Sequence, residues 1–169
     1  MALDLNIDIA RTNRFLVTVI PPDSVGLSSA VFRDTYIETA ELPSMSLATE
    51  DYEIDGKPTI KVPYKRNPAG TLNIGIRLEE NGASRNYFKQ WMNAIIQTSD
   101  NVNYYRQYYK NICGTVEIRQ LDLNDNPTFG VTLLNAYPIN VDTVQYDWGD
   151  ANNYVKQSVA ICYYDEILI

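Results

Sequence analysis

The sequence predicts a mainly β domain: an antiparallel β-sandwich or barrel of about seven strands, with one flanking α-helix and a long protruding β-hairpin. Three observations lead to this prediction. Apolar and polar residues alternate in several short segments that turn formers separate. A single segment carries apolar residues at helical spacing, and an Asp-Gly pair joins two long extended arms. We expect one domain over residues 1–169, with the hairpin at 45–65 and the helix at 82–97.

Two strands are predicted before the hairpin. The first spans residues 13–20, where Phe15, Val17 and Val19 share one face and two prolines follow. The second is an extended segment at 31–42 that ends at Pro43.

The hairpin arms are predicted at 45–54 and 57–65, joined at Asp55-Gly56, and we expect Pro63 and the sequence at 67–70 to break their pairing. Apolar residues are sparse along both arms, so folding back on the same domain would gain little. We therefore expect the hairpin to contact another copy of the chain. The predicted subunit-interface residues are Leu47, Tyr52, Ile54, Asp55, Gly56, Ile60 and Val62.

A strand at 71–78 precedes the helix. Asn81 or Ser84 is expected to accept the first free amide N–H groups of the helix, and Glu79 and Glu80 lie near the positive end of its dipole. An apolar stripe with spacings of three and four predicts a face that packs on the core. Its residues are Tyr87, Phe88, Trp91, Met92 and Ile95.

The segment at 101–110 is interpreted as a tyrosine-rich connector, although its rings could also stack on sugars or on nucleic acid. Its tyrosines are Tyr104, Tyr105, Tyr108 and Tyr109. A second hairpin is predicted from 113–123 and 128–137 around a cluster of turn formers. A loop or edge at 137–142 and a final strand at 153–164 complete the predicted fold.

Composition narrows the possible functions. A net charge of −7 argues against an ordinary nucleic-acid binder, which needs a basic surface. The chain has no histidine, which removes the commonest general base and zinc ligand. No apolar run approaches bilayer length and no signal peptide is evident, so we expect a soluble protein. Cys113 and Cys162 are interpreted as small buried residues, with a disulfide between them left open.

The sequence predicts no catalytic, metal or cofactor site. The carboxylate pairs Glu79-Glu80, Asp122/Asp125 and Asp147/Asp150 lie in predicted loops, where acidic residues are usually solvated. Asp122, Asn124 and Asp125 resemble a loose calcium loop, but the glycine and the distal glutamate of such a loop are missing. We therefore predict that the protein is not an enzyme.

The order of these elements resembles that of the tail tube proteins of contractile-tailed bacteriophages. The resemblance rests on Ala-Glu-Leu-Pro-Ser at 40–44, the hairpin through Pro63, and Tyr-Phe-Lys-Gln-Trp at 87–91. Its most specific part is Leu-Asn-Ala-Tyr-Pro-Ile-Asn-Val at 134–141, followed by Val-Gln-Tyr-Asp-Trp at 144–148. The resemblance covers the chain from about residue 13 onward, and it rests on the order and spacing of the predicted elements.

The resemblance implies a structural virion protein whose six-membered rings stack into a hollow tube inside a contractile sheath. DNA would pass through the tube on ejection. The implied partners are other copies of the chain, the tail sheath protein, baseplate or tube-initiator proteins, and DNA in transit, with no membrane. The implied location is the virion tail, after assembly in the host cytoplasm.

Three alternatives stay open. Two come from the resemblance: a tube-initiator or baseplate ring protein, and the inner tube of a particle that delivers proteins. The third is a carbohydrate-binding β-sandwich module that would use the tyrosines at 104–109.

An acidic chain suits a tube lumen that repels the phosphates of DNA. Strand alternation makes Glu38, Glu117 and Asp122 the candidate lumen-lining residues.

Overall fold

The computed structural model describes residues 12–32, 36–56, 58–68, 70–99, 103–106, 108–149 and 153–169. These residues form twelve β-strands, two α-helices and a short 3₁₀ helix at Asp23–Val25, and every strand pairing is antiparallel. The predicted fold class is confirmed, with more and shorter strands than expected. The strands and helices are β1 Phe15–Ile20, β2 Ala30–Phe32, β3 Ile37–Ala40, β4 Met45–Tyr52, β5 Ile60–Pro68, β6 Thr71–Arg77, α1 Ala83–Ile95, β7 Ile96–Ser99, β8 Asn103–Arg106, α2 Tyr109–Ile112, β9 Gly114–Leu121, β10 Pro127–Val141, β11 Lys156–Cys162 and β12 Asp165–Leu168.

The main sheet has the strand order β2-β1-β9-β10-β11-β6-β3, with β12 also paired to β10. The long strand β10 belongs to two halves of this sheet. Its first part pairs with β9 and β12, and its last part pairs with β11. Its register with β9 shifts between Leu133 and Ala136, where Asn135 takes a positive φ of 52°. Buried residues from both halves form one core, as in a sandwich.

Helix α1 completes this core. Phe88 stacks on Phe32 with ring centroids 5.9 Å apart, and Trp91 is fully buried. The indole Nε1 of Trp91 donates a hydrogen bond to the carbonyl oxygen of Ile112 at 3.0 Å. A Cβ at position 114 would lie 2.9 Å from the Trp91 ring, so Gly114 leaves the space that the indole occupies. Tyr87 and Ile95 are partly buried against the same core.

The start of α1 agrees with the sequence. The side-chain oxygen of Asn81 accepts a hydrogen bond from the amide of Ala83 at 3.1 Å. The carboxylate of Glu79 accepts hydrogen bonds from the amide of Ser84, at 3.0 Å, and from the Ser84 hydroxyl. Ser84 is therefore a donor to Glu79 and not an acceptor that caps the helix.

The end of α1 and the segment after it differ from the prediction. The helix spans Ala83–Ile95 and not 82–97, because Ile96–Ser99 turns into strand β7 and pairs with β8. The expected connector at 101–110 therefore includes a strand, Asn103–Arg106, and its end begins α2. The sequence does not reveal this pairing because neither strand has an alternating apolar face.

Three further predictions about strands need correction. The expected loop at 137–142 is largely the end of β10, which pairs with β11. The extended segment at 31–42 contains two strands, β2 and β3, at opposite ends of the main sheet. The strand expected at 153–164 is shorter, Lys156–Cys162, and β12 follows it as an unpredicted last strand. Two acidic residues in a four-residue strand give β12 little intrinsic β propensity.

The two cysteines lie on either side of Tyr137. Tyr137 pairs directly with Cys162, and the neighbouring Ala136 pairs with Gly114. Cys113 and Cys162 are thus about two strand spacings apart, roughly 10 Å, which is beyond the reach of a disulfide. Both thiols are free, and burial raises the pKa of Cys113. In the described part of the chain, no helix has the length and apolar character that a bilayer crossing needs.

Candidate assembly surface

Strands β4 and β5 form a two-stranded sheet of their own, here called the arm, which extends from the pair Met45↔Pro68 to the pair Tyr52↔Ile60. The predicted turn is present at Asp55-Gly56, where Gly56 has a φ of 74°. The strands, however, end earlier than the sequence suggests, so residues 53–59 connect them. The connection is longer than the tight two-residue turn that Asp-Gly predicts.

Pro63 does not break the pairing of the arm as predicted, whereas the arm does end within the sequence at 67–70, at Pro68. Pro63 pairs with Thr49 next to a register shift, because Tyr64 is an extra residue on β5. A β-bulge tolerates the missing amide of proline, which explains why pairing continues through Pro68.

The outer part of the arm has one apolar face and one charged face. Tyr52 pairs directly with Ile60, and Val62, which pairs with Glu50, lies on the same side two pairs further in. On the opposite side, Lys61 Nζ contacts Asp51 Oδ1 at 2.9 Å. The arm is therefore amphipathic, with an apolar line that its own domain does not cover.

Every apolar residue predicted at the interface is exposed in the single subunit. The exposed fractions of Leu47, Tyr52, Ile54, Ile60 and Val62 lie between 43% and 62%. Asp55 and Gly56 are also exposed at the turn. Clustered exposed apolar residues are typical of surfaces that bind another protein.

A charge contact joins the base of the arm to the domain. Arg66 Nη2 lies 3.6 Å from Asp165 Oδ1 and 3.6 Å from Glu166 Oε1, both on β12. The side chain of Glu166 is only 9% exposed, so this contact is partly shielded from solvent. Arg66 thus links the arm to the last strand of the domain.

The structure does not bring the three candidate lumen residues together. Glu38 lies on β3 and Glu117 on β9, in different halves of the sheet, and Asp122 follows β9 in the turn toward β10. Glu117 accepts a hydrogen bond from Arg119 Nη2 at 2.9 Å. Glu38 accepts hydrogen bonds from Lys156 Nζ at 2.6 Å and from the Tyr154 hydroxyl at 3.1 Å. The contact with Lys156 lowers the pKa of Glu38.

Asp122 holds the turn between β9 and β10. Its carboxylate accepts hydrogen bonds from the amides of Asn124 and Asn126, at 2.7 and 2.8 Å. The bonds from Asn126 lower the pKa of Asp122. The segment that resembled a calcium loop is therefore an Asx turn, closed by its own backbone. Arg14 Nη1 also contacts Asp125 Oδ1 at 2.9 Å.

The proposed core residues of the helix do not all lie at the same depth. Phe88 and Trp91 are buried, whereas Met92 and Ile95 are half-buried. Tyr87 is half-buried too, and burial raises its pKa to about 12. Its hydroxyl donates a hydrogen bond to the carbonyl oxygen of Ser28 at 2.9 Å. This face is therefore mainly a packing surface, as the stripe predicts.

A family model for phage tail tube proteins matches residues 10–166. The chain belongs to the phage tail tube protein family. No curated protein sequence is significantly similar to it.

Solved structures of other proteins show the same fold. A chain of the six-fold symmetrised baseplate of the anti-feeding prophage is 14% identical, with a TM-score of 0.71, over 96% of this chain and 97% of that one. A chain of the sheath/tube terminator of the extracellular contractile injection system PVC is 13% identical, with a TM-score of 0.69, over 98% and 99%. Hcp1 from E. coli EAEC 042 is 12% identical, with a TM-score of 0.50, over 92% and 89%. At these identities the similarity establishes a shared fold.

The tail tube protein also carries an aromatic groove that sequence reasoning missed as a surface. An open cavity of 960 Å³ is lined by residues 145–148 and 153–156. Trp148 is fully exposed, and Arg77 and Lys156 lie 4.7 and 5.1 Å from the ring centre of Tyr154. The sequence could have indicated a surface segment here, because Trp148-Gly149 forms a turn and two aromatic residues lie close by.

The rival sites receive little support from the tail tube protein's geometry. Tyr108 and Tyr109 are exposed, and Tyr109 packs edge-on against Tyr137 with ring centres 6.2 Å apart. The side chains of Tyr104 and Tyr105, like Asp150 of the pair Asp147/Asp150, lie outside the described residues. Among the described residues, no group of three or more acidic or cysteine side chains has a geometry that could hold a metal ion.

Proposed function

We propose that this tail tube protein forms six-membered rings that stack into the inner tube of a contractile tail, through which DNA passes on ejection. The observation that carries the proposal is the amphipathic arm, which leaves an apolar line exposed in the single subunit. Family membership supports a structural role over catalysis.

Stacking would cover the apolar line of the arm. Tyr52, Ile60 and Val62 would each contribute about 1–2 kcal/mol if a neighbouring subunit removed them from water. Part of this gain offsets the loss of freedom on association. A six-fold ring repeats the contact at every position, so a modest gain per arm is enough for a stable stack.

Ring closure would use the edges of the main sheet. Strands β2 and β3 end the sheet, and within the described residues each has a pairing partner on one side. Exposed edges attract further strands, and closure on a neighbour removes them. We propose that neighbouring subunits meet along these edges within a ring.

The lumen would carry little free positive charge. Glu38, Glu117 and Asp122 are the candidate lumen-lining residues, and we propose that the lumen is lined by either Glu38 or Glu117; each of these two is paired with a cation of its own subunit. Both lie on outer faces, but on different halves of the sandwich, so a single channel wall would include one of the two. A net charge of −7 would add repulsion toward DNA phosphates.

The proposed partners are other copies of the chain, a tail sheath protein, and baseplate or tube-initiator proteins. The proposed place of action is the virion tail, after assembly in the host cytoplasm. The fold shared with a chain of the anti-feeding prophage baseplate and with a PVC terminator chain favours a second candidate. In that case the protein is a baseplate ring, or an inner tube that delivers proteins.

Electron microscopy and analytical ultracentrifugation over a concentration series test the proposal. We expect six-fold rings, or tubes built from them, at high concentration. A strict monomer at every concentration, even with a purified baseplate as nucleus, would contradict it. Binding of that monomer to a glycan array would instead support the carbohydrate-binding module.

A further inference from the structure

The sandwich is open at one end, where apolar side chains line a cavity of 320 Å³, here called the apolar mouth. Leu42 and Phe129 are 55% and 42% exposed at this mouth, whereas Ile118 behind them is buried. Its lining residues are Thr12, Arg14, Phe15, Ala40, Leu42, Ile118, Gln120 and Phe129. The mouth lies on the domain itself and not on the arm.

These side chains point toward the interior of the sandwich. Phe15 shares its face of β1 with the buried residues Val17 and Val19. Phe129 shares its face of β10 with the buried residue Val131. The mouth is thus a continuation of the core, and a core-facing apolar surface is stable when another segment covers it.

The rim of the mouth is firmly held. The amide of Leu121 donates a hydrogen bond to the carbonyl oxygen of Arg14 at 3.1 Å, which continues the pairing of β1 with β9. Arg14 Nη1 contacts Asp125 Oδ1 at 2.9 Å. The chain therefore enters the described fold at Thr12, directly on this rim.

Residues 1–11 precede Thr12 and lie outside the part of the chain that the structure describes. Their sequence alternates strictly from residue 3 to residue 9, with apolar residues at every second position. These are Leu3, Leu5, Ile7 and Ile9, separated by Asp4, Asn6 and Asp8. In an extended segment this period gives one apolar and one polar face. Seven extended residues span roughly 23 Å, enough to cross the mouth from its rim.

We propose that residues 3–9 cover the apolar mouth of their own subunit, with Leu3, Leu5, Ile7 and Ile9 facing the cavity. Because the segment is joined to the fold at the rim of the mouth, the loop that this contact closes is short. Closing it therefore costs little conformational entropy. Asp4, Asn6 and Asp8 face water. The segment completes the core at the end that the strands leave open, whether or not subunits assemble.

Fluorine NMR of protein labelled with 4-fluorophenylalanine tests this proposal. The chain has four phenylalanines: Phe15 and Phe129 line the mouth, and Phe32 and Phe88 are buried in the core. A soluble paramagnetic agent broadens the signal of an exposed fluorine. At a dilution where the protein is monomeric, replacing the four apolar residues of 3–9 by Asn should increase the broadening at Phe15 and Phe129 severalfold, with Phe32 and Phe88 unchanged.

The matched control changes the polar face of the same segment. Asp4→Asn with Asp8→Asn should leave all four signals as in the parent protein. If the fourfold Asn variant unfolds, which Phe32 and Phe88 report, Leu5→Asn alone repeats the test with a smaller change.

Two results would overturn the proposal. One is equal broadening at Phe15 and Phe129 in the parent and Asn variants. The other is protection of these two residues that begins only at concentrations where subunits associate, which would assign the mouth to a second copy of the chain.

Discussion

Trp91 is held in place by three different constraints at the scale of a single residue. Its indole donates one hydrogen bond to Ile112, fills the space beside Gly114, and packs in the core that both halves of the sheet share. The first two constraints come from Ile112 and from Gly114 at the start of β9, and the third comes from strands of both halves of the sheet. The residue therefore joins α1 to the sheet, and its loss leaves a cavity that the rigid surroundings fill only partly.

We predict that Trp91→Ala lowers the free energy of unfolding by about 3–5 kcal/mol, because a large buried side chain is lost. Chemical denaturation measures this change. The matched control is Trp148→Ala, since Trp148 is fully exposed, and its effect should stay within about 0.5 kcal/mol. An unchanged denaturation midpoint for Trp91→Ala would mean that the ring is not buried in solution.

A second prediction concerns the carboxylate at the start of α1. Burial raises the pKa of Glu79, but hydrogen bonds from the hydroxyl and the amide of Ser84 outweigh burial and hold the pKa below its ordinary value of 4.5. The stabilisation is therefore complete above pH 4.5 and is lost as the pH falls through the folded value. Glu79→Gln should cost about 1 kcal/mol or less at pH 7, since Glu79 is only half-buried and solvent screens part of its charge.

The difference in unfolding free energy between Glu79→Gln and the parent protein should shrink toward zero as the pH falls below 4.5 and the Glu79 carboxylate becomes protonated. Denaturant titrations at several pH values measure it. Glu80→Gln makes the same charge change one residue further along and is the matched control, because the hydrogen bonds from Ser84 go to Glu79. A cost of Glu79→Gln that stays the same after the Glu79 carboxylate has been protonated would mean that the ionised carboxylate does not hold Ser84.

At the scale of elements, the arm can be shortened without touching the core. Deleting Thr49 to Tyr52 together with Ile60 to Pro63 removes the outer four pairs and keeps the base and Arg66. We predict a folded monomer that no longer stacks, measured by circular dichroism and by electron microscopy. Unfolding would place the arm in the core of the subunit, and normal polymerisation would place the stacking contacts elsewhere.

The two faces of the arm provide a matched comparison. Ile60→Asn with Val62→Asn removes apolar residues and should greatly weaken stacking. Asp51→Asn with Lys61→Gln removes the ion pair on the opposite face and should change stacking little, because exposed ion pairs contribute about 0–1 kcal/mol. Equal loss in both variants would argue against an apolar contact.

Periodic elements were predictable from the sequence, and elements defined by pairing were not. The strands at 15–20 and 71–77 and helix α1 carry the expected alternation or stripe, and the structure contains all three. By contrast, β12 and the β7–β8 pair have no apolar face of their own. These segments are recognised as strands only from their pairing in the structure. The exposed arm followed from its sparse apolar residues. Alternation made Glu38 and Glu117 candidate lumen residues, but it could not indicate that they lie in different halves of the sheet.

At the scale of the whole molecule, charge gives a testable expectation for the tube. If the lumen is a DNA conduit with its carboxylates paired inside each subunit, assembled tubes should bind duplex DNA negligibly even at low salt. Gel shift or fluorescence anisotropy over a salt series measures this. Tight binding that weakens steeply with added salt would contradict the expectation and direct attention to the tyrosines and cations at 104–110.

The strand order also determines when each strand can find its partner during synthesis. Strand β1 is made early, but its main partner β9 emerges about a hundred residues later, on the order of 5–20 s at cellular rates of translation. Strand β6 waits similarly for β11, which follows it by roughly eighty residues. Such distant pairing makes folding slow. Until β9 and β11 have been made, the apolar faces of β1 and β6 lack some of the neighbours that will bury them, so the nascent subunit exposes apolar surface that the folded one covers.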